Sequence, residues 1–251
     1  MTQKNRDDIF LSLIIPAYNE ENRIARTLIE ISQYLDQQEY LSEIIVVNDG
    51  STDQTHQRCL ETLKDRPNFR VLSRDENIGK GYSVKQGVLQ TRGNLILFSD
   101  ADLSTPIREL DKFLPWVKEY EIVIGSRALP DSDIQVHQSI VRESMGKMFN
   151  IFVRLLIIRG IKDTQCGFKL FQRGAALDIF PRIRLKGFSF DVEVLFLSRR
   201  LAYRLKQIPV IWRNSPESKV HLFSSSARMF LDLLRIRYLH LSLSDSERNH
   251  G

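Results

Sequence analysis

Through the first half of this chain, short β-rich runs alternate with amphipathic stretches, and that alternation limits the possible architectures more than any other feature. It is the pattern of a parallel sheet with crossover helices, an α/β class. The candidate strands are Leu11–Ile15, Glu43–Val47, Phe69–Ser73, Asn94–Ser99 and Glu121–Ser126. Between the first two, Ile24, Leu28, Ile31 and Leu35 line one face of a helix. Pro106 suits the first turn of a further helix over Ile107–Tyr120. In open sheets of this kind ligands bind beyond the carboxyl ends of the strands, so the segments that follow strands come first. These are 16–20 (PAYNE), 48–53 (NDGSTD), 74–81 (RDENIGKG), 100–104 (DADLS) and Arg127, which converge on one sheet edge. Pro16–Glu20 contains no glycine, and the Gly79/Gly81 pair has the wrong spacing for a dinucleotide fingerprint or a P-loop.

The second half is less regular. A helix is expected over His137–Arg159, a loop at Gly160–Gly167 and a strand at Phe168–Phe171. A helix over Phe190–Tyr203, a strand at Leu205–Trp212, a final helix from about Phe223 to Leu241 and a polar tail at 242–251 follow. At 251 residues the length allows one large domain or two small ones. Hydrophobic residues make up 42% and charged residues 27%, which excludes wholesale disorder and a polytopic membrane protein. Cys59 and Cys166 form neither a disulfide framework nor a CxxC site, and a reducing compartment is the default. The apolar stretch after the N-terminus is too short to span a bilayer and lacks a signal-peptide pattern, so the chain is read as unsecreted. The net charge of +5 favours anionic partners. No basic run interleaved with aromatics and no zinc-finger or RNP-type signature points to nucleic acid, which is left out as a partner.

Asp100 and Asp102 follow the buried-type run Leu95–Phe98, at a strand end where side chains face the cleft. Paired carboxylates there suit a hard cation such as Mg²⁺ or Mn²⁺, which also binds diphosphate oxygens. Alone, the same pair would equally cap a helix. Asp49 lies beyond the second strand beside Gly50, where it would accept hydrogen bonds from a base or ribose or else serve a turn. Tyr18 would stack on a base or fill part of the core.

Taken together these segments resemble glycosyltransferase family 2, and within it the polyprenyl-phosphate enzymes, most closely the dolichyl-phosphate β-glucosyltransferases. The resemblance runs from about Leu11 to Lys219 and rests on PAYNE, VVNDGSTD, NIGKG, DADLS, GSR at 125–127, DTQCGFKLF at 163–171 and FDVEVLF at 190–196. It implies a GT-A fold: one domain over 1–241, with a nucleotide-binding half at about 11–127 and an acceptor half at about 128–241. It further implies that Pro16, Tyr18, Glu20, Asp49 and Lys80 surround the nucleotide sugar, with Asp100 and Asp102 at the metal and Asp102 its direct ligand. Arg127 and Arg142 resemble the basic residues that face an acceptor phosphate, and Lys219 the late basic residue that closes over the diphosphate. Asp191 and Glu193 are nearby acids, of which Asp191 is the candidate catalytic carboxylate beside Asp102 and Arg127. There are two departures. No spanning segment is visible, so anchoring is expected to differ, and Gly167 stands where mannosyl-type relatives often carry a polar or acidic residue.

Membrane contact has its own basis, since Phe149–Ile158 is apolar nearly all round and too short to span. In the last helix Arg228, Asp232 and Arg235 share one face, while Met229, Phe230, Leu233, Leu234 and Tyr238 spread over the rest, as in an interfacial helix; core packing or a dimer contact is the alternative. The expectation is inverting transfer of glucose from UDP-glucose to a polyprenyl phosphate, with Mg²⁺ or Mn²⁺, by a protein peripheral to the cytoplasmic face of a membrane. Another nucleotide sugar such as GDP-mannose, a sugar-hydroxyl acceptor, or a non-catalytic membrane-surface protein of the same fold stay open.

Overall fold

The computed structural model describes residues 9–136, 148, 150–153, 157–213 and 222–240, with backbone alone at 222–230. The expected strands form: β1 (Leu11–Ala17), β2 (Ser42–Asp49), β3 (Phe69–Arg74), β4 (Leu95–Ser99) and β5 (Ile122–Ser126). Between them lie α1 (Ile24–Asp36), α2 (Thr55–Leu63) and α3 (Lys80–Leu89). The second half adds β6 (Asp133–Val136), a helical stretch α5 at 150–153, β7 (Phe168–Gln172), α6 (Arg173–Ile179), α7 (Phe190–Arg200), β8 (Leu205–Pro209), β9 (Ile211–Arg213) and α8 (Leu222–Leu239). The remaining helical turn, α4 (Leu110–Phe113), sits between two 3₁₀ turns at 107–109 and 114–118.

One seven-stranded sheet runs β3-β2-β1-β4-β7-β5-β8, and only β7 is antiparallel to its neighbours. Side chains alternate between faces along a strand, and β1 shows the consequence. Ile14 joins a core with Val84 and Val88 of α3 and Phe190 and Leu195 of α7, whereas Leu13 and Ile15 join a second core with Leu28, Ile31, Cys59 and Phe113. The inner sheet is thus covered on both faces, which is why β1, β2, β4 and β5 read as nearly continuous apolar runs, whereas the edge strands β3 and β8 are only partly buried and mix polar with apolar residues. Because β5 runs in the direction of β1, β2 and β4, the segments after all these strands emerge along one edge. Antiparallel β7 brings its beginning to that same edge, with Phe168 opposite Ser99.

Three expected elements differ. The helix over Ile107–Tyr120 is broken into 3₁₀ and α turns, and Pro115, near the start of the second 3₁₀ turn, lacks the N–H that would continue an α-helical ladder. The strand Leu205–Trp212 divides at Val210: β8 pairs with β5, while β9 pairs with β6 in a separate two-stranded sheet. The helix expected to reach Arg159 has given way to a turn by Ile157; residues 137–147, 149 and 154–156 of that expectation lie outside the described residues. Arg142, Lys219 and the tail 242–251 also lie outside them.

Candidate functional site

Two of the cleft segments lace together before any ligand is considered. Asn19 N–H donates to Ser51 Oγ (2.9 Å), Thr52 N–H to Asn19 Oδ1 (2.8 Å) and Glu20 N–H to Thr55 Oγ1 (2.7 Å). Asn19 supports this turn in the left-handed region at φ 55°, where Asn is better tolerated than most residues. Pro16 is buried in β1 opposite Val47, Tyr18 is exposed at the edge, and the Glu20 carboxylate is held by Arg23. Asp49 is nearly buried. Its carboxylate accepts from Gly79 N–H (2.8 Å), Ile78 N–H (3.2 Å) and Arg74 Nη1 (3.0 Å). It therefore organises the NIGKG loop, a use the sequence did not reveal. Gly50, at φ 69°, passes so close to Glu76 that a Cβ would lie 2.3 Å from the Glu76 carbonyl carbon.

The NIGKG loop delivers Lys80 to the DAD segment. Lys80 Nζ lies 2.7 Å from Asp100 Oδ1, a buried oxygen with no hydrogen bond besides this ion pair. Burial alone would lower the Lys80 pKa, but the carboxylates of Asp100, Asp191 and Asp102 outweigh it and the net shift is upward. Asp102 Oδ1 accepts Ser104 N–H (2.9 Å). Behind this pair sits a second one, fully enclosed: Lys169 on β7 and Asp191 on α7 are 1% and 2% exposed and are joined by a direct ion pair. Lys169 Nζ also donates to Cys166 O (2.7 Å), and both lysines approach the Phe98 ring, at 5.2 Å for Lys80 and 5.7 Å for Lys169. Burial pushes the Asp191 pKa up, against the pull of Lys169 and Lys80.

At the end of β5, Arg127 is gripped by Asp163. Its Nε donates to Oδ2 (2.7 Å), Nη2 to Oδ1 (2.9 Å) and its backbone N–H to Oδ2 (2.9 Å). The guanidinium lies 5.4 Å from the centre of the Trp212 ring. Despite burial, Arg127 holds the Asp163 pKa down at about 2, and Asp163 in turn keeps Arg127 charged. One loop, 163–167, serves both centres, because Gly167 O accepts Asp100 N–H (3.1 Å). A Cβ on Gly167 would lie 2.0 Å from Asp100 Oδ2, so an acidic or polar residue does not fit there without moving Asp100.

The structure thus brings Lys80, Asp100, Asp102 and Asp191 into one charged cluster, with Arg127 along the same edge and within the electrostatic reach of Asp100. Arg142 and Lys219 are outside the described residues. Asp163, Lys169 and Arg74 received no role from the sequence. Lys169 was signalled by its place in an otherwise apolar strand, where a buried charge needs a partner.

The sequence profile described as glycosyl transferase family 2 matches residues 12–180. The chain belongs to that family. Dolichyl-phosphate beta-glucosyltransferase of Dictyostelium discoideum is 38% identical over 248 residues, covering 94% of this chain and 76% of that protein. The human protein of the same name is 35% identical over 247 residues, covering 91% and 76%. Among solved structures, mannosyl-3-phosphoglycerate synthase from Rubrobacter xylanophilus superposes with a TM-score of 0.66 at 20% identity, covering 93% of this chain and 74% of that one. Glucosyl-3-phosphoglycerate synthase from Mycobacterium tuberculosis, in complex with Mn²⁺, UDP and glucosyl-3-phosphoglycerate, gives 0.64 at 19% identity, covering 95% and 82%. At such identities the likeness is one of fold, and the GT-A architecture of this family 2 member is as expected, with its mostly parallel sheet flanked by helices.

Proposed function

We propose that this glycosyltransferase moves glucose from UDP-glucose to a polyprenyl phosphate of the dolichyl type, with inversion at the anomeric carbon. The names of the relatives that align with over nine-tenths of the chain support the glucosyl donor and the lipid phosphate acceptor. The observation that carries the reading is the contrast between Arg127 and Asp191. Both are paired, Arg127 with Asp163 and Asp191 with Lys169, but the Arg127 side chain is 27% exposed at the sheet edge whereas that of Asp191 is 3% exposed and enclosed. A hydroxyl acceptor needs a positioned base to take its proton. A phosphate monoester has a second pKa of ~6 and reaches the site largely dianionic at neutral pH. Such an acceptor brings its own nucleophile, and what it requires is fixed positive charge, from Arg127 and from Arg142.

On the donor side, the segments carrying Pro16, Tyr18, Glu20 and Asp49 form the nucleotide wall in this reading, Asp49 by way of the loop it holds, and Lys80 and Lys219 are assigned to the diphosphate. Among the described residues no group of three or more His, Cys, Asp or Glu side chains could hold a metal. Asp100 and Asp102 nevertheless suit Mg²⁺ or Mn²⁺, which are commonly held by one or two carboxylates and completed by substrate phosphates. Asp100 Oδ1 already has the Lys80 ammonium at 2.7 Å, so a bound cation would share this carboxylate with Lys80. When bound, the cation supplies positive charge to the departing diphosphate. We read 1–241 as a single domain because β7 and β8, from the acceptor half, complete the sheet of the nucleotide half.

Membrane attachment is the third part of the reading, as a peripheral protein of the cytoplasmic face. No helix among the described residues is long and apolar enough to cross a membrane. On α8, Leu231, Leu234 and Tyr238 are exposed beside the exposed Arg235, an arrangement that suits the headgroup region. Of the apolar segment expected at the membrane, Ile151 is exposed, as is Met148 before it, whereas Val153 and Ile158 are buried in the core and Phe152 and Ile157 pack against it. Asp232, expected on the polar face, is instead largely buried beside Leu233 and Ile236 and pairs with Arg235 at 3.5 Å.

The test offers a panel of labelled nucleotide sugars with polyprenyl phosphate and follows label into organic solvent. UDP-glucose is expected to lead the panel. Transfer led by another nucleotide sugar would replace the donor assignment, and transfer from none by a folded protein would favour a non-catalytic membrane-surface role.

A further inference from the structure

We infer that Asp163 is a positioning residue for transfer, setting where the Arg127 guanidinium meets the acceptor phosphate. The inference rests on the proposed placement of Arg127 at that phosphate. A free arginine side chain has many rotamers, and each one frozen at the moment of binding subtracts from affinity. Asp163 removes that freedom in advance. Both of its oxygens engage one edge of the guanidinium, and Oδ2 also takes the Arg127 backbone N–H, so head and stem are fixed together. The planar fork then has its other edge, with Nη1, for an anion.

Asp163 is itself held. Gln165 N–H donates to its Oδ1 (3.1 Å), in the loop whose far end, Gly167, is hydrogen-bonded to Asp100. Five residues therefore span the distance between the carboxylate of the donor side and the cation of the acceptor side. In an in-line displacement that distance decides whether the phosphate oxygen reaches the anomeric carbon, and a small misplacement is costly in rate. A residue that only stabilised the fold would affect donor and acceptor alike. One that acts through Arg127 affects the acceptor.

The experiment measures KM for a short-chain polyprenyl phosphate in detergent micelles and KM for UDP-glucose, in wild type, Asp163→Asn, Arg127→Ala and the double variant. Asp163→Asn keeps the shape but loses the charge. Loss of one charge-assisted pair predicts an acceptor KM raised about tenfold or more, with the donor KM within about twofold. In the Arg127→Ala background, Asp163→Asn is expected to cost less than about a further twofold, since residues acting as a unit are not additive. Should Asp163→Asn fail to fold, Asp163→Glu, which keeps the charge but shifts it by one methylene, is expected to give the same acceptor-selective split. Equal losses for donor and acceptor, or full additivity with Arg127→Ala, would overturn the inference while leaving the acceptor reading intact. An Arg127→Ala enzyme with unchanged acceptor kinetics would overturn both.

Discussion

Gly167 shows how tightly single atoms constrain this site. Gly167→Ala would place a methyl group 2.0 Å from Asp100 Oδ2, well inside contact distance. The carboxylate is expected to rotate away, at a stability cost of ~1–3 kcal/mol as for other overpacked positions. Thermal melting should show that modest loss, and turnover should fall by far more than the melting shift accounts for. Asp102→Asn is the complementary change, removing charge at almost constant shape. Preorganised charge of this kind is typically worth ~100–1000-fold in rate, so turnover at saturating Mn²⁺ should drop by that order, and excess chelator should silence the parent enzyme. At position 127 a lysine would keep the charge, but it cannot engage both Asp163 oxygens and an anion at once, so only partial rescue of Arg127→Ala is expected. Asp100, Asp102 and Arg127 were legible because they follow apolar runs that announce strand ends. The partnerships of Asp163 and Lys169 were not, since Arg127 and Asp191 lie 36 and 22 positions away and only the assembled sheet brings each pair together.

Helix α8 presents two faces of different character, one buried and one exposed. Leu233 and Ile236 are fully buried and join the core with α7, so alanine at either should cost ~2–5 kcal/mol in a denaturant melt. Leu231, Leu234 and Tyr238, the last 76% exposed, contribute little to that core. Serine at all three should leave the melt almost unchanged and abolish most co-sedimentation with anionic liposomes. High salt should release the parent protein only in part, because screening acts over ~8–10 Å on charges and not on apolar insertion. Unchanged sedimentation of the triple variant would remove α8 from the membrane contact. At this scale, strands β1, β2, β4 and β5 were readable because a sheet covered on both faces writes itself as nearly continuous apolar runs, and the edge strand β3 from its shorter Val71–Leu72 core. The segments 107–120 and 205–212 misled for a local reason, the prolines at 115 and 209, which interrupt elements whose apolar pattern continues through them. The two-turn α6 escaped notice because it is short and has no side-chain cap.

For the molecule as a whole, the Arg127–Asp163 pair joins the end of β5 to the loop before β7, and pH tests that joint. An aspartate in an unfolded chain titrates near ~3.9, whereas Asp163 in the folded protein is held at about 2. A depressed folded pKa contributes stability that is present above the unfolded value and is lost as pH falls through the folded one. The contribution is on the order of 2 kcal/mol. The difference in melting temperature between wild type and Asp163→Asn should therefore shrink from pH 6 toward pH 3, and a gap that stayed constant would show that the ionised carboxylate is not its source. The buried Asp191 works in the opposite sense, its raised pKa favouring the protonated folded state at low pH, so the comparison with the single variant is what isolates the joint. The central claim is that this cleft glycosylates a phosphate that arrives already ionised. It is met most directly by giving the enzyme labelled UDP-glucose with either polyprenyl phosphate or the polyprenol of equal length, and counting label in the organic phase. The account predicts product from the phosphate alone, with Asp191→Asn retaining turnover when assayed below its melting temperature. Product from the alcohol, lost in Asp191→Asn, would contradict it.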